Sequence, residues 1–159
     1  MSPSSQPFDS SAAHRFFSAH CFNEAWALID KPNRTDEENR LMLTLSFTSL
    51  WHWTQRDDCV SRNLSIGYWQ ISRIFALLGD GANARRYGDA CMEHSLSESP
   101  FFLAYAHEAM ARAAALNGDS NRCHTISPRH ASSRRRSPTP KSVPLLKKIS
   151  SASRFLSVR

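Results

Sequence analysis

The stretch that decides the fold runs from residue 68 to residue 91, YWQISRIFALLGDGANARRYGDAC. It joins two apolar stripes at helical spacing. The stripes are Leu64, Tyr68, Ile71, Phe75 and Leu78 before the turn, and Ala84, Tyr87, Cys91 and Leu96 after it. Between them, Gly79 can adopt the left-handed conformation that closes a helix, and Asp80 can cap the next one. The stretch therefore predicts a helical hairpin, with helices over about residues 63–78 and 82–95.

Helical spacing continues on the N-terminal side of this hairpin. Apolar residues recur every three or four positions over about residues 12–29, and Pro32 follows closely, which predicts a first helix that ends before it. A second helix is predicted to begin at Thr35, because Glu38 stands three positions later, where a capping box requires it. We expect this second helix to reach about Gln55.

A fifth helix is predicted to begin at Ser99-Pro100, because serine is a good cap and proline suits the first helical position. Its apolar side is predicted to comprise Phe102, Ala106, Met110, Ala113 and Leu116. The sequence LNGD at residues 116–119 is predicted to close it. We therefore expect an all-α fold, an irregular array of about five helices over residues 12–119, between a flexible leader (1–11) and a disordered basic tail (120–159).

The two Gly-Asp turns indicate a repeat, because Gly79 and Gly118 are 39 residues apart and each follows an amphipathic helix. The segment Tyr68–Cys91 resembles a tetratricopeptide repeat. The matching positions are Tyr68, Ile71, Ser72, Phe75, Gly79, Asp80, Ala84 and Cys91. The resemblance implies stacked hairpins whose first helices line a concave, peptide-binding groove. The spacing exceeds the usual period of that family, and the second unit lacks its second helix.

Over about residues 14–119, the wider pattern also resembles a group of short bacterial proteins that have no assigned function. The positions that carry this resemblance are Phe22-Asn23, Trp26, Arg34-Thr35, Met42-Leu43, His52-Trp53, the segment 67–70, Arg73 and the segment 101–113. The resemblance implies that a final acidic helix should follow the fifth helix. This chain has a basic tail at that place instead.

The charge of the chain is divided unevenly, and this bears on its function. Residues 1–119 hold all 14 acids and ten of the 20 Lys and Arg, a net charge of −4, whereas residues 120–159 hold ten bases and no acid. The formal charge of +6 therefore belongs to the tail. This excludes an interpretation of the whole chain as a basic nucleic-acid binder.

Three interpretations of the tail stay open. It is a disordered basic segment, or an arm for nucleic acid or phosphorylation through residues 134–138, or the product of a shifted reading frame. With GC-rich codons, the other frame turns residues 145–153 into Ala-Ala-Glu-Glu-Asp-Leu-Glu-Arg-Ile, an acidic helical pattern. The nucleotide sequence of the gene decides among them, since an early stop in the other frame excludes the third interpretation.

Common catalytic and metal-binding signatures are absent from the sequence. It contains no GxSxG, P-loop, GxGxxG or HExxH motif, and its four cysteines form no CxxC pair. We therefore predict no catalytic residue, no metal site and no cofactor. No apolar run approaches a membrane span, and the start of the chain lacks the features of a signal peptide. We expect reduced cysteines and a cytoplasmic location.

The candidate binding residues are polar and aromatic side chains at helical spacing. On the third helix, Trp69, Gln70 and Arg73 are predicted to lie on a face distinct from the apolar stripe. On the fifth helix, Tyr105 and Glu108 recur at the same kind of spacing, and Arg112 follows them. His52, between Trp51 and Trp53, completes the set near the end of the second helix.

These residues support two hypotheses and a structural alternative. In the first, an interaction module binds a protein or peptide in a groove, with Arg73 and Gln70 gripping it and Trp69 and Tyr105 supplying contact area. In the second, an enzyme or small-ligand binder uses an enclosed pocket on which four side chains converge, those of His52, Arg73, Tyr105 and Glu108. In the structural alternative, Arg73 and Glu108 form an ion pair between helices, packed among Trp rings.

Two further partners follow from the tail and from the fifth helix. Nucleic-acid binding ranks third, because it depends on residues 120–159 alone. Without a sixth helix to cover the fifth, the side chains of Phe101, Leu103, Ala109 or Leu116 are predicted to be partly exposed and to promote self-association.

Overall fold

The computed structural model describes the backbone of residues 8–123 and the side chains of residues 8–118. It contains five helices, α1 (Ser10–Asp30), α2 (Asp36–Thr54), α3 (Ser61–Leu77), α4 (Gly81–Ser95) and α5 (Pro100–Cys123). No strand occurs in this part of the chain, so the all-α prediction is confirmed. The predictions for residues 1–7 and for the tail from residue 124 lie outside the described residues.

The helix starts are set by local capping chemistry, largely as predicted. The Thr35 hydroxyl accepts the Glu38 amide hydrogen at 3.2 Å, and Glu38 Oε2 accepts the Thr35 amide hydrogen at 2.9 Å, which completes the capping box. Asp80 caps α4 by accepting from the Asn83 amide at 2.9 Å. Gly79 has a φ of +79°, as the predicted closing turn of α3 requires.

The helices pack in two hairpins, α1 with α2 and α3 with α4, and α5 then packs on α4 and α3. The buried core cluster comprises Trp26, Ile29, Met42, Trp69, Ile74, Cys91, Ala106 and Ala109. The odd-numbered helices meet on one side of the array, where Trp26 of α1 stacks on Trp69 of α3 and Trp69 meets Tyr105 of α5 edge-on. Trp69 therefore joins three helices.

The predicted closing turn at residues 116–119 is wrong, because α5 continues through it to Cys123. Gly118 is helical, and Gly79 has the only positive φ among the described glycines. A physical reason is that Asn117 Nδ2 donates to the Gly81 carbonyl at 3.2 Å, which ties this part of α5 to the start of α4. Tertiary contact therefore overrides a local turn signal.

The predicted faces of α3 also need correction. Trp69 and Gln70 are 2% and 1% exposed, so they lie in the core and not on a separate open face. The reason is that α3 packs against α2, α4 and α5, which covers most of its circumference. The predicted stripes also extend too far, since Leu78 is 36% exposed and Leu96 is 70% exposed.

Some of the apolar side chains of α5 that were predicted to be partly exposed are exposed in the structure, and one is not. Phe101 is 48% exposed, and Leu103 and Leu116 are half-buried, whereas Ala109 is fully buried against the core. Ala109 was wrongly expected on the uncovered side, because α5 packs its small residues on α3 and α4. Within the described part of the chain, no helix is both long and apolar enough to cross a bilayer.

Candidate functional site

The candidate site is formed by side chains from the three odd-numbered helices, and each helix contributes a pair of residues that lie four positions apart. The pairs are Trp26 and Asp30 on α1, Trp69 and Arg73 on α3, and Glu108 and Arg112 on α5. Tyr105 lies one turn before Glu108 on α5. Side chains at this spacing lie on the same helix face. We call the set Trp26, Trp69, Arg73, Tyr105, Glu108 and Arg112 the arginine cluster.

Trp69 organises the arginine cluster. Its ring lies 5.7 Å from the Trp26 ring and 5.5 Å from the Tyr105 ring, measured between centroids. Its indole Nε1–H donates to Glu108 Oε2 at 3.0 Å. Because Trp69 is buried, it positions the neighbouring polar groups and offers little surface of its own.

Arg73 lies against this aromatic wall. Its guanidinium carbon is 5.8 Å from the ring centroids of both Trp26 and Trp69, within the range of cation–π attraction. Its Nε is buried and has no hydrogen-bond partner. Burial lowers the pKa of Arg73 below its ordinary value, and the carboxylate of Asp30 partly opposes this.

Arg112 brings a second guanidinium to the same place. It forms an ion pair with Glu108, one turn earlier on α5. Its Nη1 is nevertheless buried without a hydrogen-bond partner. Burial, together with the charge of Arg73, lowers the pKa of Arg112 to about 10. Two cations that repel each other therefore share the site.

Tyr105 supplies a third donor. Its hydroxyl is buried without a hydrogen-bond partner, and burial raises the pKa of the phenol. Its ring packs against Phe101, with centroids 4.9 Å apart, and Phe101 is about half exposed. The tyrosine thus connects the buried donors with an exposed aromatic side chain.

These three donors differ from the other buried polar groups. Elsewhere, Ser49 Oγ donates to the Ser18 carbonyl at 2.6 Å, and Ser72 Oγ donates to the Ala84 carbonyl at 2.7 Å. Among residues 8–118, the buried side-chain nitrogen and oxygen atoms without a partner are Arg73 Nε, Tyr105 Oη and Arg112 Nη1. All three belong to the arginine cluster.

The structure brings together four of the six predicted binding residues, Trp69, Arg73, Tyr105 and Glu108. Gln70 points elsewhere, since its Nε2 donates to the Phe22 carbonyl at 3.0 Å. The expected Arg73–Glu108 ion pair is not found among the described side chains, because Arg112 and the Trp69 indole engage the Glu108 carboxylate. The four-residue spacing of Glu108 and Arg112 could have indicated this pairing.

His52 lies at a separate place, on the surface shared by α1 and α2. Its Nδ1 is 2.9 Å from Nδ1 of His14, a spacing for one shared hydrogen bond. Burial, and then the nearby His14, lower the pKa of His52. In the described residues, no group of three or more His, Cys, Asp or Glu side chains could hold a metal ion.

No family model, no curated protein and no solved structure matches this chain.

Proposed function

We propose that this protein is a small binding module with a tetratricopeptide-like helical array, which holds a protein or peptide partner at the arginine cluster. The observation that carries the proposal is the concentration of three buried, unpartnered donors at one place, Arg73 Nε, Tyr105 Oη and Arg112 Nη1. Leaving one such group unsatisfied costs about 1–3 kcal/mol, and a bound partner that accepts these hydrogen bonds recovers that cost.

The partner's contact area would come from the rim of the cluster rather than from Trp69. Phe101 is half exposed beside Tyr105, and tyrosine and arginine are enriched among the residues that contribute most to binding. This differs from the groove expected from the sequence, in which Trp69 and Gln70 were to contact the peptide.

The alternative is a small-ligand binder or an enzyme. The enzyme hypothesis required His52 to converge with Arg73, Tyr105 and Glu108, whereas His52 lies beside His14 on another surface. The Glu108 carboxylate is engaged by two donors, which disfavours it as a general base. Binding is therefore favoured over catalysis, and a small ligand remains the competing occupant. Nucleic-acid binding ranks below both, because it depends on the tail.

We also propose a cytoplasmic location. Cys21, Cys59 and Cys91, the cysteines whose side chains are described, are free thiols, and burial raises the pKa of each. Free, poorly reactive thiols are typical of proteins in a reducing compartment.

Selection from a displayed library of random peptides tests the binding proposal. The enriched peptides should bind the wild-type chain and lose binding to the double variant Arg73→Gln/Arg112→Gln. Arg85→Gln is the matched control, because Arg85 also pairs with an acid four residues away, Asp89, but on the exposed surface of α4. Failure to enrich any peptide, or equal binding to the double variant, would refute a peptide site at the cluster.

A further inference from the structure

The unpartnered atoms of the arginine cluster share one chemical property. Arg73 Nε and Arg112 Nη1 carry hydrogens and have no acceptor capacity, and the Tyr105 hydroxyl can donate as well. Only a group with several acceptor lone pairs can satisfy all three at once. Two guanidiniums favour a charged acceptor, because hydrogen bonds between ionised groups are about twice as strong as neutral ones.

The charges around the site limit the charge of that acceptor. Arg73 and Arg112 contribute two positive charges, and the Glu108 carboxylate, which pairs with Arg112, cancels one of them. Asp30 adds a negative charge near Arg73. These four charges sum to zero, so the preference for an anion comes from the unpartnered donors of the two guanidiniums and not from a net positive charge. A monoanion meets less repulsion from the two carboxylates than a phosphate dianion does.

The surroundings of the donors limit the shape of the ligand. The Arg73 guanidinium carbon lies 5.8 Å from the Trp26 and Trp69 ring centroids, and the Tyr105 ring meets the half-exposed Phe101 ring edge-on. A guanidinium presents its donors in one plane, which a planar carboxylate matches. An apolar group attached to that carboxylate would cover the exposed ring of Phe101.

We infer that the arginine cluster is a carboxylate-binding site, in which Arg73, Arg112 and Tyr105 together hold one carboxylate that carries an apolar or aromatic neighbour. Glu108 is a positioning residue, since its carboxylate accepts from the Trp69 indole and pairs with Arg112, and an ionised carboxylate has no hydrogen to donate to a ligand. The inference rests on the proposed function for its location. It adds the chemical class of the group that the partner presents.

The first experiment compares benzoate with benzamide, which have the same ring and differ in the charge of the acceptor. Binding is followed by the indole N–H resonances of the ¹⁵N-labelled full chain, because the Trp69 indole lies inside the site. Benzoate should shift the Trp69 signal in a saturable way, and benzamide should not. Inorganic phosphate at equal ionic strength should bind more weakly than benzoate. Equal shifts by benzamide, or tighter binding of phosphate, would overturn the assignment.

Variants then locate the carboxylate. Arg73→Gln and Arg112→Gln should each weaken benzoate binding by about tenfold or more, since each removes a charge-assisted hydrogen bond. Tyr105→Phe should weaken it by a few-fold, and the control Arg85→Gln should leave it unchanged. Arg73→Lys and Arg112→Lys guard against misfolding, because they keep the charge and should retain part of the affinity. Undiminished benzoate binding in the glutamine variants would refute the site.

The source of the carboxylate is distinguished by two further probes. Acetyl-Ala-Glu-Phe-Ala-amide has only a side-chain carboxylate, and its Glu-to-Gln analogue is the neutral control. N-acetylphenylalanine represents a free or C-terminal carboxylate, with its amide as control. Binding of either acid above its control supports the inference, and binding of neither overturns it.

The inference and the proposed function can fail separately. If selected peptides bind at the cluster regardless of any carboxylate, the peptide site stands and the carboxylate assignment is wrong. If benzoate binds through both arginines but no peptide is ever enriched, the carboxylate site stands and the peptide partner is wrong.

Discussion

Gly79 and Gly118 occupy similar sequence contexts but different conformations, and alanine substitution should affect them in opposite directions. Gly79 has a φ of +79°, where an L side chain costs about 1–2 kcal/mol, so Gly79→Ala should lower the free energy of unfolding by about that amount. A Cβ at Gly79 meets no atom within 4 Å, so backbone strain is the whole effect.

Gly118 lies inside α5, is exposed, and also offers open space to a Cβ. Alanine is favoured over glycine in a helix by about 0.5–1 kcal/mol, so Gly118→Ala should raise the free energy of unfolding by that amount. The two variants should then differ by about 1.5–3 kcal/mol. In a domain of this size, about 1 kcal/mol corresponds to roughly 4–8 °C in the melting midpoint.

Urea and thermal unfolding, followed by far-UV circular dichroism, measure the difference. Ala114→Gly provides the control, since it introduces a glycine at another exposed position of α5 and should cost about 1 kcal/mol. If Gly118→Ala destabilises the protein as much as Gly79→Ala does, then residues 116–119 form a turn after all and the described end of α5 is wrong.

Four other substitutions or conditions test the structure by unfolding measurements. Thr35→Ala should cost about 1 kcal/mol by removing the cap of α2, and a smaller loss on Thr35→Ser would show that the hydroxyl matters. Gln70→Leu should cost about 0.5–1.5 kcal/mol, because it removes the hydrogen bond that the Gln70 side chain donates to the Phe22 carbonyl of α1. Burial lowers the pKa of His52 in the folded chain, so stability should fall as the pH drops below the ordinary histidine pKa of about 6.5. His52→Phe should flatten that part of the profile, and an unchanged pH dependence in this variant would contradict the assignment. Arg73→Met should raise stability by about 1 kcal/mol, since it removes an unsatisfied donor, and a loss of several kcal/mol would mean that Nε has a partner.

Sequence reasoning predicted the helix starts well because they depend on a few adjacent residues. Thr35 and Glu38 form their capping box from side chains only three positions apart, and Asp80 reaches the Asn83 amide in the same way. The end of α5 was missed for the opposite reason. Asn117 and Gly118 are typical turn residues, but the side-chain amide of Asn117 donates to the backbone carbonyl of Gly81, 36 positions earlier.

The candidate site was predicted in part, and the difference again follows from distance along the chain. Helical spacing marked Trp69, Arg73, Tyr105 and Glu108 as a polar and aromatic set, and the structure brings these side chains together around Trp69. It could not show that Trp69 would be covered, because that depends on how α1 and α5 pack against α3. Once Trp69 is covered, its indole N–H donates to one carboxylate oxygen of Glu108, and Arg112 forms an ion pair with the other. Arg73 is then left without the acid that the sequence suggested.

That rearrangement connects the stability of the fold with the proposed binding. If Arg73 had paired with Glu108, its guanidinium would have had an acceptor within the array. Instead the Glu108 carboxylate accepts from Trp69 and pairs with Arg112, and unpartnered donors remain on the two neighbouring guanidiniums. Residues 1–119 carry a net charge of −4, so the field of the helical body disfavours polyanions while the local donors attract an acceptor. Unpartnered guanidinium donors in an acidic body therefore favour a monoanion over phosphate-rich partners such as nucleic acids.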